Sequence, residues 1–267
     1  SGNDACVALA EGIAGTEENF VSLMNEKAEE IGMTLTNFAN TSGINNPDNY
    51  STVRDIALMS KYLIKNYPEY YELFKETEFT WERTGGNPIS QGNRNTLLYK
   101  NIGVDGIKTG HLVVEEYSLA SSIKKNTRRL IAVGSGFKTN ASRASQSRKL
   151  LTWGLTNTET FEISKKEQTL FDIETWLGSE KIIKGYTKED VYMTVEKKDL
   201  SGFEVFLEYT GPTKAPIKKD AMIAEIKIYN KKDLLRSVPV YSSEKISKIN
   251  FLLSLVTSFN YMIWGDA

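Results

Sequence analysis

The spacing of apolar residues changes along this chain, and this change limits the possible fold more than any other feature. In residues 16–31 and 52–66, apolar side chains recur at helical spacing. From residue 77 to residue 137, short apolar runs alternate with turn formers, which is typical of strands. A further helix is predicted over residues 143–154. A block of strands flanked by helices predicts an α+β domain.

Local signals mark the ends of the predicted helices. Thr16 is the expected N-cap of the first helix, and Gly32 follows its last turn. Ser51 is the expected cap of the second helix, which Pro68 stops. Residues 43–49 are dense in turn formers and predict a loop between the two helices.

Four strands are predicted after the helices, at residues 79–81, 104–109, 117–123 and 129–137. The last two are expected to be antiparallel neighbours, because only a short basic turn separates them. This first domain is predicted to span residues 1–158.

The composition shifts again near residue 160. Short β-rich runs at residues 191–195, 203–207 and 223–228 are separated by polar turns. They predict a small all-β, sandwich-like domain over residues 159–243, a size that an independent core can have.

The last segment, residues 244–267, is predicted to be an amphipathic helix. Ile246, Ile249 and Leu252 fall near one face, and the aromatic residues that follow suit the headgroup boundary of a membrane. Two interpretations stay open. The helix lies on a membrane surface, or it packs on its own domain or on a partner.

The overall charge excludes one class of partner. The chain has 267 residues, 25% of them charged, and its net charge is −1. We therefore expect no binding to nucleic acid, which requires a basic surface. We predict neither a metal site nor a cofactor. The single cysteine, Cys6, is flanked by apolar residues and is expected to pack as a small apolar group.

Two short motifs suggest acyl-transfer chemistry, which needs a nucleophile, a base, a proton relay and oxyanion donors. Lys108-Thr109-Gly110-His111 ends a predicted strand, and Ser1-Gly2-Asn3 begins the chain. We predict that Ser1, Asn3 and Lys108 are catalytic. The Ser1 hydroxyl relays protons, the Asn3 amide orients a substrate carbonyl, and the Lys108 ammonium attracts anionic substrate. Thr109 and Gly110 are predicted to bind substrate, through a hydroxyl and through close approach of the backbone.

The surroundings of these motifs carry a resemblance to a known family. They include Phe20-Val21, Asn49-Tyr50-Ser51-Thr52, Asn93-Arg94-Asn95, Val104-Asp105-Gly106-Ile107 and Lys149-Leu150-Leu151-Thr152-Trp153-Gly154. With them the chain resembles the D-alanyl-D-alanine carboxypeptidases among the low-molecular-mass penicillin-binding proteins. The resemblance implies a transpeptidase domain like that of penicillin-binding proteins and serine β-lactamases. It also implies that a peptidoglycan stem peptide loses its last D-alanine through an acyl-enzyme, and that β-lactam antibiotics acylate the same site.

The resemblance also assigns residues outside the two motifs. Arg94 and Arg143 match family positions that face the terminal carboxylate of the substrate, which guanidinium groups bind in a bidentate way. The alternative for both is a solvated or helix-capping arginine. His111 is predicted to shape the substrate site as a strand residue, since no acidic partner is evident nearby in the sequence.

The chain departs from the family pattern in two places. The segment after His111 is Leu112-Val113-Val114-Glu115-Glu116, in which two carboxylates are expected to weaken the binding of an anionic substrate. The family's nucleophile motif, Ser-x-x-Lys, is the second departure. It matches by chance at Ser121, Ser122, Ser135 and Ser242, but no match precedes Ser1 and opens a helix. We therefore expect the first domain to be N-terminally incomplete and this chain to be inactive alone.

Three functions are compatible with this sequence. The leading one is a serine-type D-Ala-D-Ala carboxypeptidase, extracytoplasmic or periplasmic and peripherally attached to the inner membrane. The second is a noncatalytic peptidoglycan-binding or scaffold protein that retains the substrate cleft. A serine β-lactamase is third, because the β-domain and the terminal helix do not favour it.

Overall fold

A computed structural model describes residues 2–82 and 84–264. The chain divides into two compact units, with the boundary between Thr156 and Asn157. The first unit mixes helices and strands, and the second consists of strands followed by one helix. Both units therefore have the secondary structure class that the apolar spacing predicts.

Five α-helices belong to the described part of the first unit. They are α1 (Asn3–Ala14), α2 (Glu17–Glu30), α3 (Val53–Asn66), the short α4 (Pro68–Tyr71) and α5 (Asn140–Asn157). Thr16 caps α2, and its hydroxyl accepts a hydrogen bond from the Asn19 amide at 3.2 Å. The predicted cap of α3 was wrong by one residue. Thr52 rather than Ser51 accepts from the amide of Asp55, because its backbone is extended while its hydroxyl faces the first turn.

Five strands of the first unit form two separate sheets. A hairpin is made of β1 (Glu78–Trp81) and β2 (Ile89–Gly92). The larger sheet contains β3 (Val104–Leu112), β4 (Glu116–Lys125) and β5 (Arg128–Phe137), in that order and antiparallel throughout. The prediction that β4 and β5 are antiparallel neighbours is thus confirmed. Strand β3 forms one edge of this sheet.

The buried face of the larger sheet forms the core of the first unit. Leu119 and Ile123 of β4 pack with Ala132 of β5 and Leu151 of α5. A second cluster unites Ile107 of β3 with Tyr71 and Ala120. Strand β3 is therefore held by apolar contacts on one side while its outer edge stays open to a cleft.

Cys6 does not pack as predicted. It is exposed on α1, where the neighbouring Leu9 is also 66% exposed. Apolar neighbours in the sequence do not ensure burial, since only one side of a helix faces the core.

The second unit contains the remaining eight strands. They are β6 (Thr158–Ser164), β7 (Phe171–Trp176), β8 (Ile182–Tyr186), β9 (Val191–Glu196), β10 (Phe203–Glu208), β11 (Thr213–Lys214), β12 (Met222–Asn230) and β13 (Asp233–Ser242). Six of them form one sheet in the order β10-β12-β13-β8-β7-β11, and β6 pairs with β9. Ile173, Ile183, Ile228 and Val240, all fully buried, form the centre of its core.

The terminal helix is shorter than predicted. It is α6 (Phe251–Trp264), so residues 244–250 are not helical. Ile246 is 1% exposed, forms a β-bridge with Ile217 and belongs to the core of the β unit. The predicted helical face that joined Ile246 and Ile249 to Leu252 was therefore wrong, because the β unit takes the first two residues into extended structure.

Candidate active site

Strand β3 aligns the Lys-Thr-Gly-His motif along the edge of the larger sheet. Its inner side pairs with β4, where Lys108 faces Ala120, Gly110 faces Ser118 and His111 faces Tyr117. Among the described strands none pairs with the outer edge of β3. The outer backbone groups are thus placed to receive an extended peptide as an added strand.

A cleft of about 940 Å³ lies against β3. It brings together seven of the eight site residues that the sequence predicted: Asn3, Arg94, Lys108, Thr109, Gly110, His111 and Arg143. The eighth, Ser1, lies outside the described residues. Residues that are about a hundred positions apart in the sequence therefore converge on one cleft.

A second cleft of about 570 Å³ adjoins the first. Arg94, Lys108 and Thr109 line both clefts, whereas Gly110, His111 and the residues after them line only the larger one. The cationic end of the larger cleft therefore lies at the boundary between the two.

The amine of Lys108 lies in a positively charged part of the cleft. Its Nζ donates a hydrogen bond to the carbonyl oxygen of Thr109 at 2.6 Å. Partial burial of the amine lowers the pKa of Lys108, and the positive charges of Arg94 and Arg143 lower it further, whereas Cys6 acts in the opposite direction. Lys108 consequently loses its proton more readily than an ordinary lysine.

Two asparagines hold the loop that presents Arg94. The Asn93 side chain donates to the carbonyl of Glu76 at 2.9 Å. Asn95 is 1% exposed and donates to the carbonyl of Gly106 in β3 at 3.0 Å. Because these bonds hold the loop on both sides of Arg94, the exposed guanidinium is directed into the cleft. The sequence indicated the Asn-Arg-Asn motif but not the role of its asparagines.

Arg143 is buried in the wall of the cleft, and only 4% of it is exposed. Its guanidinium donates to the carbonyls of Gly110 at 3.4 Å and Arg94 at 3.2 Å, and to the Asn140 side chain at 2.7 Å. It also lies over the Tyr117 ring, 5.4 Å from the centroid. Burial lowers the pKa of Arg143, which Tyr117 partly offsets. Arg143 thus links the Arg94 loop to β3 from within the wall.

His111 is exposed on the cleft side of β3. Its ring lies 4.2 Å from that of Tyr117, measured between centroids. This contact extends the aromatic surface beneath Arg143 along the strand. His111 thus lines the cleft, and its role in shaping the substrate site stays a prediction.

Gly110 is required by the close approach of β4. A Cβ atom built at this position would lie 2.2 Å from the Ser118 hydroxyl oxygen. The motif glycine therefore permits tight pairing of β3 with β4.

A polar cluster that the sequence did not reveal anchors the start of β3. Asp105 accepts hydrogen bonds from the Tyr71 hydroxyl at 2.8 Å and from Arg129 at 2.8 Å, and Arg129 also donates to Ser122 at 2.6 Å. Burial, together with the Asp105 carboxylate, raises the pKa of Tyr71 to about 12. This network connects α4, β3, β4 and β5 three residues before Lys108.

The loop at residues 42–45 also lines the cleft, a position that the sequence did not predict. It is positioned from α2, where the Asn25 side chain exchanges two hydrogen bonds of 2.8 Å with the backbone of Phe38. Glu17 accepts from the backbone and hydroxyl of Thr41, and these bonds lower the pKa of Glu17. Turn formers in the sequence predicted a loop here, but not its position in the cleft.

The four Ser-x-x-Lys matches lie away from the cleft. Ser121 and Ser122 are fully buried in β4, Ser135 lies in β5, and Ser242 ends β13 in the other unit. None of the four is among the residues that line the described cleft. Within residues 2–82 and 84–264, no group of three or more His, Cys, Asp or Glu side chains has the arrangement of a metal site.

Comparison with known proteins connects this arrangement to a family. The D-alanyl-D-alanine carboxypeptidase family matches residues 1–139, and the C-terminal domain of penicillin-binding protein 5 matches residues 159–248. The chain is 36% identical over 253 residues to the D-alanyl-D-alanine carboxypeptidase DacC of Escherichia coli, covering 94% of this chain and 62% of that protein. It is 37% identical to DacA of Haemophilus influenzae, covering 85% of this chain and 57% of that protein. The chain thus spans about three fifths of the length of these relatives.

Solved structures agree with the sequence comparison. Penicillin-binding protein 5 from Haemophilus influenzae superposes with a TM-score of 0.84 at 33% identity, covering 92% of this chain and 71% of that one. Penicillin-binding protein 6B from Escherichia coli gives a TM-score of 0.64 at 33% identity, covering 89% and 64%. The predicted fold is therefore confirmed, and the chain belongs to the D-alanyl-D-alanine carboxypeptidase family of low-molecular-mass penicillin-binding proteins.

Proposed function

We propose that residues 1–267 supply the substrate cleft of a serine-type D-Ala-D-Ala carboxypeptidase, an enzyme that removes the last D-alanine of peptidoglycan stem peptides and is acylated by β-lactams. The observation that carries the proposal is the convergence of Asn3, Arg94, Lys108 and Thr109 on one cleft beside the open edge of β3.

Each residue has a role that follows from its position. The terminal carboxylate of the peptide binds at the cationic end of the cleft, near Arg94 and Lys108, and accepts a hydrogen bond from the Thr109 hydroxyl. The peptide backbone extends along β3 past Gly110 as an added strand. The Asn3 amide orients the carbonyl that precedes the scissile bond.

The chemistry has two steps. A serine hydroxyl attacks the carbonyl carbon between the two D-alanines, the C–N bond breaks, and D-alanine leaves with the transferred proton. Water then hydrolyses the ester and regenerates the serine. Lys108 with its lowered pKa, together with Ser1, is proposed to move the proton to the leaving amine.

We also propose that none of the four Ser-x-x-Lys serines performs the attack. Ser121 and Ser122 are buried within β4, and their hydroxyls bond to Ala132 and Arg129 inside the protein. A chain of residues 1–267 therefore binds ligand in this cleft without forming an ester. This is the behaviour of the noncatalytic, peptidoglycan-binding alternative.

Labelled penicillin tests this proposal. We expect residues 1–267 to show no covalent label after denaturation, but to bind a D-Ala-D-Ala peptide reversibly, with loss of binding in Lys108→Gln. A covalent adduct at any serine would contradict the first expectation. Absence of peptide binding to the folded chain would contradict the proposed substrate. For an enzyme that includes a nucleophile, faster hydrolysis of β-lactam than of peptide would instead indicate a β-lactamase.

We further propose an extracytoplasmic, periplasmic location with α6 at the surface of the inner membrane. Among the described helices, none has both the length and the hydropathy to cross a bilayer. In α6 no residue is buried, and its least exposed positions are the polar Ser254, Thr257 and Ser258. Several of its apolar residues are exposed instead, among them Leu252 at 74% and Met262 at 81%, whereas the Tyr261 ring packs against Trp176. A membrane interface is the environment that accommodates such a surface.

A further inference from the structure

The turn between β3 and β4 gives the larger cleft a second charged end. Leu112 pairs with Glu116, so that Val113, Val114 and Glu115 form a three-residue turn. Glu116 has a φ of 58°, the left-handed conformation that commonly ends such a turn. All five residues line the cleft, which Arg94 and Lys108 also line at its boundary with the smaller cleft.

The two carboxylates of this turn are not equivalent. Glu116 forms an ion pair of 2.5 Å with Lys138, which compensates its charge. Glu115 is exposed and takes part in none of the ion pairs within the described ranges 2–82 and 84–264. Glu115 is therefore the carboxylate that is available to a ligand.

The side chains beside Glu115 are apolar and open to solvent. Val113 is 92% exposed and Val114 is 73% exposed, although both line the cleft. An aliphatic chain that ends in an ammonium group matches this surface, because its methylenes cover the valines while its charge reaches the carboxylate.

The spacing agrees with a short peptide. A strand rises about 3.3 Å per residue, so Leu112 lies about 13 Å along β3 from Lys108. Three extended residues span about 10 Å, and a long side chain covers the remaining distance. A peptide with its carboxylate near Lys108 thus carries the side chain of its third-last residue to the turn.

We propose that Glu115 is a specificity-determining residue that selects D-Ala-D-Ala peptides bearing an aliphatic primary amine on the preceding residue. This inference rests on the proposed function, because it uses the same cleft and the same orientation of the peptide. It reverses the expectation that carboxylates after His111 only weaken binding, since the anionic and cationic ends of one ligand meet opposite ends of the cleft.

The test compares two tripeptides by calorimetry on residues 1–267. One is N-acetyl-L-lysyl-D-Ala-D-Ala with a free side-chain amine, and the other carries an acetyl group on that amine. The ratio of the two affinities is measured within each variant, so that a general loss of binding cancels. The variants are Glu115→Gln and, as a matched control outside the cleft, Glu69→Gln. Circular dichroism verifies the folding of both.

We expect the unchanged protein to favour the free amine about twofold to fivefold, the range of an exposed ion pair. The preference should decrease at high salt, disappear in Glu115→Gln and persist in Glu69→Gln. A preference that survives Glu115→Gln, or equal binding of both peptides to the unchanged protein, overturns the inference and leaves the proposed function intact. If neither peptide binds, the proposed function fails, and the inference fails with it.

Discussion

The guanidinium of Arg143 donates a hydrogen bond to the backbone carbonyl of Arg94, at a distance of 3.2 Å. The buried arginine thereby holds the loop that presents the exposed one. Another hydrogen bond, to the carbonyl of Gly110, connects the same guanidinium to β3, the strand that carries Lys108. The positions of two cleft cations thus depend on one side chain from α5.

Replacing Arg143 by lysine should weaken ligand binding and stability together. A single ammonium cannot reproduce the three diverging bonds of the guanidinium, and the partly buried carbonyls that lose a donor should lower the free energy of unfolding by about 1 kcal/mol. Urea unfolding and peptide binding measure both effects. The exposed Arg148→Lys on the same helix is the control and should change the free energy of unfolding by less than about 0.5 kcal/mol. Equal behaviour of the two variants would refute the role assigned to Arg143.

Asn95 should matter for stability although it contacts no ligand. Asn95→Ala leaves the carbonyl of Gly106 without its side-chain donor and the Leu97 amide without its acceptor. We expect a loss of about 1–3 kcal/mol in the free energy of unfolding, and weaker peptide binding because the Arg94 loop loosens. Asn87→Ala, in the exposed loop between β1 and β2, is the comparison. An unchanged denaturation midpoint for Asn95→Ala would show that the loop is held by other contacts.

The pH dependence of carboxylate binding should report on Lys108. Its pKa lies below the ordinary lysine value of 10.5 because the cleft disfavours its charged form. Anion binding is therefore expected to decline as pH rises through this lowered pKa, where the ammonium loses its proton. The folded state holds this proton less tightly than the unfolded state, so Lys108 contributes stability that increases with pH between the lowered pKa and 10.5.

Removing the positive charge of Arg94 tests the cause of the lowered Lys108 pKa. Arg94→Gln should raise the pKa of Lys108 and move its titration to higher pH, since a repelling cation is lost. Heteronuclear NMR of the lysine side chain measures this shift directly. A midpoint that stays in place, or one that moves to lower pH, would contradict electrostatic coupling between the two residues.

Gly110→Ala should destabilise the sheet, and a second change should restore it. The added methyl group meets the Ser118 hydroxyl at 2.2 Å, and such overpacking typically costs about 1–3 kcal/mol. Ser118→Ala removes the oxygen that collides, so the double variant should regain most of the lost stability. Thermal unfolding of the two single variants and the double variant forms a complete cycle. Simple additivity of the two changes would exclude the steric explanation.

Membrane association should depend on the outward side of α6. Burying one leucine-sized side chain contributes roughly 1.5–3 kcal/mol, so Leu252→Lys with Met262→Lys should lower partitioning onto anionic vesicles by about tenfold or more. Ser254→Ala, on the partly covered side, is the control and should bind as the unchanged protein does. Equal sedimentation of the double variant with vesicles would argue against a membrane role. Loss of self-association in vesicle-free solution would instead indicate that a second copy covers α6.

The sequence by itself determined the elements and the identity of the site. Thr16 and Gly32 mark the ends of α2 because capping is a local interaction, decided within one turn. The alternating runs around residues 117–137 predict β4 and β5 because strand periodicity needs no knowledge of neighbours. The Lys-Thr-Gly-His and Ser-x-Asn motifs predicted five residues that meet in the cleft, and the resemblance to the family added Arg94 and Arg143.

Only the tertiary structure decided how those residues are held and which apolar residues are covered. Arg143 bonds to backbone carbonyls 33 and 49 positions away, a relation that no local pattern contains. Ile246 leaves the predicted helix because the β unit offers it a buried position beside Ile217, which outweighs helical propensity. The same limit applies to α6, whose periodicity predicts a helix but not the direction of its faces. Burial depends on contacts between distant segments, and those contacts exist only after the chain has folded.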